Sequence, residues 1–288
     1  MPLASGNNLW LGATPILRAY LGGALLFDSA APGGVWATVT ATTGSPILHE
    51  DVDGDGLWDA YEWQASGSVT LTAGKIGRRL WQGGGASGAR HAIAGGGGAG
   101  WTQQDNDHPD ISADTYAVVI GAGALGQSPT NMSGADGSAT TAMGVTAPGG
   151  GGGAGTGNSG DPTSGRPGGN GGGGATGNGD FANGGIGNPG FNGGEANAGR
   201  AAAGGGGSGG SGGAATTSFG QSGVAGLAVA STILGASRSF GRGGAGSGNA
   251  EIQVSDNEPA GSGNGSHGAR SSQGNGGSGC FILRIRRA

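Results

Sequence analysis

The densest acidic pattern in the chain is Asp51-Val52-Asp53-Gly54-Asp55-Gly56-Leu57-Trp58-Asp59-Ala60-Tyr61-Glu62. It matches the D-x-D-x-D-G spacing, with a glutamate closing the loop, that marks a calcium-binding loop. Calcium is a hard cation that takes about six to eight oxygens at about 2.3 to 2.6 Å. Here Asp51, Asp53 and Asp55 offer alternate carboxylates, and Gly56 offers the sharp turn. Leu57 offers a carbonyl, Asp59 a direct or water-mediated oxygen, and Glu62 a bidentate carboxylate. The expected cofactor is Ca2+, which would rigidify the loop by binding only the folded state. The competing reading is an acidic hairpin loop with Asp-Gly turns, since Trp58, Ala60 and Tyr61 followed by Ser66-Gly67 make a poor exiting helix.

Other polar groups carry less chemistry. Gln103 to Asp110 places His108 among Asp105, Asp107 and Asp110. Carboxylates and a histidine can do acid–base work, but neighbours in a proline-containing turn read as an exposed loop. His49, His91 and His267 lie far apart in sequence, and Cys280 opens an apolar run as a small buried hydrophobe. Matches to G-x-G-x-x-G lack any surrounding strand–helix–strand context. No catalytic constellation emerges, so the expectation is a protein that is not an enzyme. Trp101, Phe181, Phe191, Phe219 and Phe240 stand isolated in glycine-rich sequence. They are candidate receptor contacts that stack on sugar rings, or else plugs at an edge or against a neighbouring chain.

The elements that position these residues are constrained by composition. Of 288 residues 76 are glycine, while only 11% are charged and 5% aromatic. Glycine inside a helix costs about 1 kcal/mol relative to alanine, which argues against helix bundles, β/α barrels and doubly wound sheets. Collagen needs glycine at every third position, and spacings such as Gly95 to Gly98 and Gly204 to Gly207 break that rule. One cysteine excludes an intrachain disulfide framework. A net charge of −5 argues against nucleic acid. The basic cluster Arg284, Arg286 and Arg287 alternates with Ile285 and reads as a strand with one polar face. No long apolar run predicts a membrane span, and the N-terminus predicts no secretory signal.

Glycine divides the chain: 12 fall in residues 1–82 and 64 in residues 83–288. The expected fold class is mainly β and irregular. Residues 1–82 read as a small β-rich module, with a strand at Val35 to Thr40. Two more, Ser68 to Thr72 and Ile76 to Trp81, are joined by a turn at Ala73-Gly74-Lys75. Residues 83–288 hold strand-like runs at Tyr116–Ile120, Gly226–Ala230, Ile252–Val254 and Cys280–Ile285. Between them the glycine tracts must be disordered or packed backbone against backbone. The second is available as polyglycine II, an extended helix with three residues per turn and about 3.1 Å rise. Without Cβ atoms such rods lie side by side and hydrogen-bond sideways. Six tracts qualify: 149–160, 165–179, 184–194, 204–213, 241–248 and 261–279. Asp161-Pro162, Asn188-Pro189 and Glu258-Pro259 read as turns.

The order of these motifs resembles the glycine-rich domain of tail-fibre, tail-tip and related virion proteins of tailed bacteriophages. The residues that carry it are Leu80-Trp81 before Gly83-Gly84-Gly85, Ala94 to Gly100 (AGGGGAG), Tyr116 to Gly126 (YAVVIGAGALG) and Asn275 to Arg286 (NGGSGCFILRIR). Ile16 to Phe27 is similar to a strand-turn-strand unit at the start of such proteins. The resemblance covers about residues 60–288 plus that unit. It implies a structural virion protein with residues 1–82 as the attachment module, and a glycine slab similar to that of polyglycine-II tail-fibre adhesins. The implied partners are other virion proteins, a bacterial surface polysaccharide or outer-membrane receptor, and further copies of the chain in a homotrimer. A head-attached fibre or connector without receptor binding stays open, as does a free ice- or cell-wall-binding protein.

Overall fold

A computed structural model describes residues 35–126, 133–156, 163–177, 180–197, 199–215, 222–248, 257–270 and 274–287, together with the backbone of four short strands between residues 10 and 28. Among the described residues every regular element is a strand and none is a helix. The Ile16–Phe27 unit pairs Arg18–Leu21 with Ala24–Asp28 in an antiparallel ladder. Ile252–Val254 and Asp161-Pro162 lie outside the described residues.

Two five-stranded antiparallel sheets form the side-chain core. The first runs in the order Thr102–Asp105, Arg79–Gln82, Cys280–Arg286, Trp58–Trp63, Ile47–His49. The second runs Val145–Ala147, Thr140–Ala142, Asp114–Val119, Gly67–Leu71, Val39–Thr43. Strand side chains alternate between faces, so Trp63, Trp81, Phe281, Leu283 and Ile285 of the first sheet meet Val69, Leu71, Val118, Ala142 and Ala147 of the second. The buried indoles stitch the layers together: Trp81 Nε1 donates to Ala142 O at 2.9 Å and Trp63 Nε1 to Thr43 O at 3.0 Å.

Three local expectations need correction. Ser68–Thr72 and Ile76–Trp81 do not form a hairpin, because Val69 and Leu71 face the core from one sheet and Trp81 from the other. Residues 73–75 cross between the layers instead, and Gly74-Lys75 pairs with Asp110-Ile111. The strand expected at Val35–Thr40 begins only at Val39. The polar face of the C-terminal strand is covered too: Cys280 and Ile282 pack with Ala60, Leu80, Ile233 and Phe240 beneath the hairpin Val229–Leu234/Ala236–Phe240. Arg284 is only 4% exposed there.

Strands Arg79–Gln82 and Thr102–Asp105 run directly into glycine segments 83–89 and 94–100, and their antiparallel pairing continues at a longer step. N–H groups of Gly83, Ala86 and Ala89 donate to the carbonyls of Trp101, Gly98 and Gly95. Segment 94–100 lies inside the packing, and successive N–H groups point to different neighbours. Gly95 and Gly98 donate to Ala154 and Gly151, Gly96 and Ala99 to Ala203 and Gly206, and Gly97 and Gly100 to Ser266 and Gly263. Each neighbour is revisited every third residue, with two neighbours antiparallel and one parallel. Contact between these backbones leaves no room for a side chain at the glycine positions: a Cβ on Gly98 would lie 2.1 Å from Asn170 O, and one on Gly85 1.8 Å from Asn264 O.

Several tracts double back rather than form one rod. Gly172 N–H bonds Arg166 O, Gly193 N–H bonds Gly185 O, Gly204 N–H bonds Gly213 O and Gly277 N–H bonds Asn264 O. Folding back brings each half a partner from its own tract. The turn expected at Asn188-Pro189 is present, with a cis peptide bond. Where slab meets sheet, the carbonyl of Gly100 accepts from Gln82 Nε2 at 2.8 Å, Ser208 Oγ at 3.0 Å and Asn170 Nδ2 at 3.2 Å. All three side chains are buried. They cap the end of the central segment as side chains cap the carbonyls of a helix end.

Candidate functional site: the acidic loop and the slab rim

The acidic loop joins the antiparallel strands Ile47–His49 and Trp58–Trp63. Asp51 sits at φ 49°, Gly54 at 70° and Gly56 at 73°. Glycine takes left-handed geometry freely and aspartate tolerates it through local hydrogen bonds. Asp51 Oδ1 accepts from Gly56 N at 2.6 Å, Asp55 Oδ1 from Leu57 N at 2.9 Å and Asp59 Oδ1 from Asp51 N at 2.9 Å. The loop carboxylates thus satisfy the loop's own backbone. Asp53 is ion-paired with Arg284, and the Leu57 carbonyl accepts from Arg287 N at 2.9 Å.

Glu62 leaves this group altogether. Its register opposite Ile282 places it on the face covered by the hairpin, where it is 1% exposed. There it accepts from Arg238 Nη1 at 2.7 Å and Gln64 Nε2 at 2.8 Å, and pairs with His49 Nε2 at 3.0 Å. Burial alone would raise its pKa. The hydrogen bonds from Gln64, Arg238 and His49, with the charge of Arg238, outweigh burial and hold the carboxyl below its ordinary value. Glu62 is therefore held by Arg238, Gln64 and His49, apart from the loop carboxylates, which bond the loop's own backbone or Arg284. Among the described residues no group of three or more His, Cys, Asp or Glu side chains is placed to hold a metal ion.

His108 does not join Asp105 either, because Asp105 pairs with Arg79. Cys280 is fully buried, and burial together with the charge of Glu62 pushes its thiol well up, away from nucleophilic thiolate.

The isolated aromatics separate by position. Phe181 and Phe191 are 51% and 39% exposed, whereas Trp101 is half-buried against Gly169 and Gly190. Phe240 is fully buried with Ile233 and Ile282, which removes it as a surface contact. Its place in a paired strand of the hairpin points it inward. Phe219 lies outside the described residues. Sequence reading by aromaticity missed Ile186, Val224 and Leu227, which are 66%, 71% and 68% exposed. Segments 191–194, 210–213 and 223–227 lie side by side: Gly212 N–H bonds Asn192 O, and Gly213 N–H bonds Val224 O. The missed signal was an apolar residue isolated in glycine, whatever its ring content.

No helix among the described residues is long and apolar enough to cross a membrane. No curated protein matches the chain. The model of one family, the glycine-rich domain, matches residues 60–286. That span opens and closes on two strands that pair with each other, Ala60 opposite Arg284 and Trp58 opposite Arg286. The slab is held between them, and the chain belongs to the glycine-rich domain family.

Proposed function

We propose that this chain is a non-enzymatic structural protein of a phage or phage-like virion, a tail-fibre or tail-tip component that takes part in attachment to the host surface. The observation that carries the reading is the backbone-packed slab. Its three-residue hydrogen-bond period supports polyglycine-II helices, the architecture of the tail-fibre adhesins that the sequence resembles. A rigid support made without a large side-chain core suits a narrow appendage whose residues at the rim are free to vary. Phe181, Phe191 and Trp101, with Ile186, Val224 and Leu227, supply the apolar rim that would meet a surface polysaccharide or outer-membrane receptor. Residues 1–82 would attach the chain to other virion proteins. Appendages of this kind are symmetric about a fibre axis, so the proposed assembly is a homotrimer.

The test is fractionation of virus particles from cells that express the protein, followed by antibody detection of the chain. Co-migration with particles, and reduced adsorption to host cells when the antibody is added, is the expected result. Co-migration without an effect on adsorption would favour the connector role. Absence from every particle fraction would overturn the virion reading.

A further inference from the structure

One end of the first sheet gathers three arginines on one face. Arg284 and Arg286 alternate with the inward Leu283 and Ile285, so they lie about 7 Å apart along the strand. Arg284 donates its N–H to Arg78 O at 2.9 Å and accepts from Gly77 N–H at 3.0 Å, so Gly77 and Arg78 together oppose it. A Cβ at Gly77 would lie 2.8 Å from Trp58 Cζ3. That tight approach seats an aromatic cluster under the arginines. Trp36 and Trp58 meet edge to face at 5.1 Å, and His108 stacks on Trp58 at 5.6 Å. The Arg284 guanidinium lies 5.5 Å over Trp58, and that of Arg286 5.5 Å over Trp36.

Like charges placed opposite each other destabilise a sheet, and Arg78 registers this. Burial first, and then the charge of Arg284, hold its pKa below the ordinary arginine value, with Asp53 opposing. Compensation is incomplete. Asp53 pairs with Arg284, while Glu50 and Asp59 are taken by Arg287. Arg78 Nε donates to the neutral Asn106 Oδ1 at 2.8 Å. Among the described residues no carboxylate forms an ion pair with Arg78 or Arg286. Arg284 Nε and Trp36 Nε1 are buried without a hydrogen-bond partner, and such groups cost about 1 to 3 kcal/mol each when left unpaired.

We propose that this patch, the partly exposed Arg78 and Arg286 with the buried Arg284 adding its charge behind them, braced by Trp36, Trp58 and His108, binds the oxyanion group, phosphate or carboxylate, of an acidic ligand. Planar guanidinium forks match either group with two parallel hydrogen bonds. The rings fix the forks before a ligand arrives, which lowers the ordering cost of binding. The ring faces themselves are occupied by guanidinium and imidazole, so recognition is by charge and not by sugar stacking. The inference does not depend on the virion reading.

The test is calorimetric titration of the full chain, in low-salt buffer, with inorganic phosphate and separately with glucuronate. Saturable binding of either probe is expected, weakened about tenfold or more in Arg286→Gln and in Arg78→Gln and unchanged in Arg166→Gln, whose guanidinium pairs with Asp136 instead. Both site residues are partly exposed, so both variants should keep the wild-type circular dichroism spectrum. Preference for phosphate would identify a phosphorylated ligand, and preference for glucuronate an acidic sugar. No saturable binding of either probe at about 10 mM, or equal weakening in all three variants, would overturn the proposal.

Discussion

The sheet pair and the glycine slab solve the same problem by opposite means. Between the sheets, Trp63, Trp81, Phe281 and Leu283 exclude water with side chains, and the backbone ladders lie at the periphery of that core. In the slab the backbone is itself the core: segment 94–100 is surrounded by other backbones, and each of its N–H groups from Gly95 to Gly100 ends on a carbonyl of a different segment from its neighbour's. Hydrophobic burial contributes about 25 cal/mol per Å² of apolar surface, and glycine has little to contribute. The slab depends instead on complete hydrogen bonding and close approach. A side-chain core tolerates substitutions of similar volume. A backbone core admits a Cβ only at the few positions that already carry one, such as Ala86, Ala94 and Ala99, and none where glycine meets a neighbouring carbonyl.

The largest expected effect follows from that contrast. Gly85→Ala puts a Cβ 1.8 Å from a backbone carbonyl that cannot swing aside, and should cost about 4 kcal/mol or more. Gly54→Ala, at positive φ but with nothing within 4 Å of its Cβ, should cost only about 1 kcal/mol. Urea denaturation of both variants checks the pair, and equal costs would mean that steric closeness is not what holds the slab.

Next comes Glu62→Gln, which leaves Arg238 facing an amide in a largely buried network. About 2 kcal/mol is expected, below the usual cost of breaking a fully buried pair because Arg238 is itself 32% exposed. Because the Glu62 pKa is depressed in the folded chain, its stabilisation is present above the ordinary carboxylate range. It is lost as pH falls through the lower folded value. The wild type should therefore lose more stability than the variant between about pH 5 and pH 3, as thermal melts at each pH would record.

Phe281→Leu, a swap within the side-chain core, should cost about 1 to 1.5 kcal/mol, well below Gly85→Ala although Phe281 is far larger. The smallest effect is expected at the acidic loop. Asp53→Ala removes the carboxylate paired with Arg284; the carboxylate is 38% exposed but the guanidinium it leaves is only 4% exposed, so the cost in chelator should be about 1 kcal/mol. A larger loss in calcium than in chelator would mean that Asp53 and Glu62 leave their arginines for the ion. Equal losses would remove calcium from the account.

The sequence made some of this legible. Tyr116–Ile120 and Cys280–Ile285 announced their strands through β-branched and alternating residues, and the rise in glycine after Gln82 marked the place where the ladder of Arg79–Gln82 passes into the slab. It did not announce that Cys280–Arg286 pairs with Trp58–Trp63. Periodicity reports which way a side chain faces and says nothing of a partner more than two hundred residues away. The tracts were harder still. Gly204–Gly213 reads as one rod, yet Gly207 and Gly210 bond each other across a turn, because glycine carries no side chain to mark where a rod ends. The acidic loop was legible only in part, for another reason. Spacing suggested six ligands, but the strand beginning at Trp58 turns Glu62 to the opposite task of neutralising Arg238.

The most direct test of a backbone core is amide hydrogen exchange in the full chain, comparing peptides that cover residues 94–100 with those that cover Cys280–Arg286. Each N–H from Gly95 to Gly100 donates to a backbone carbonyl of another segment, so protection of 94–100 should match that of the C-terminal strand and be lost with it in one cooperative transition. Exchange of 94–100 at the unfolded rate while Cys280–Arg286 stays protected would contradict the account.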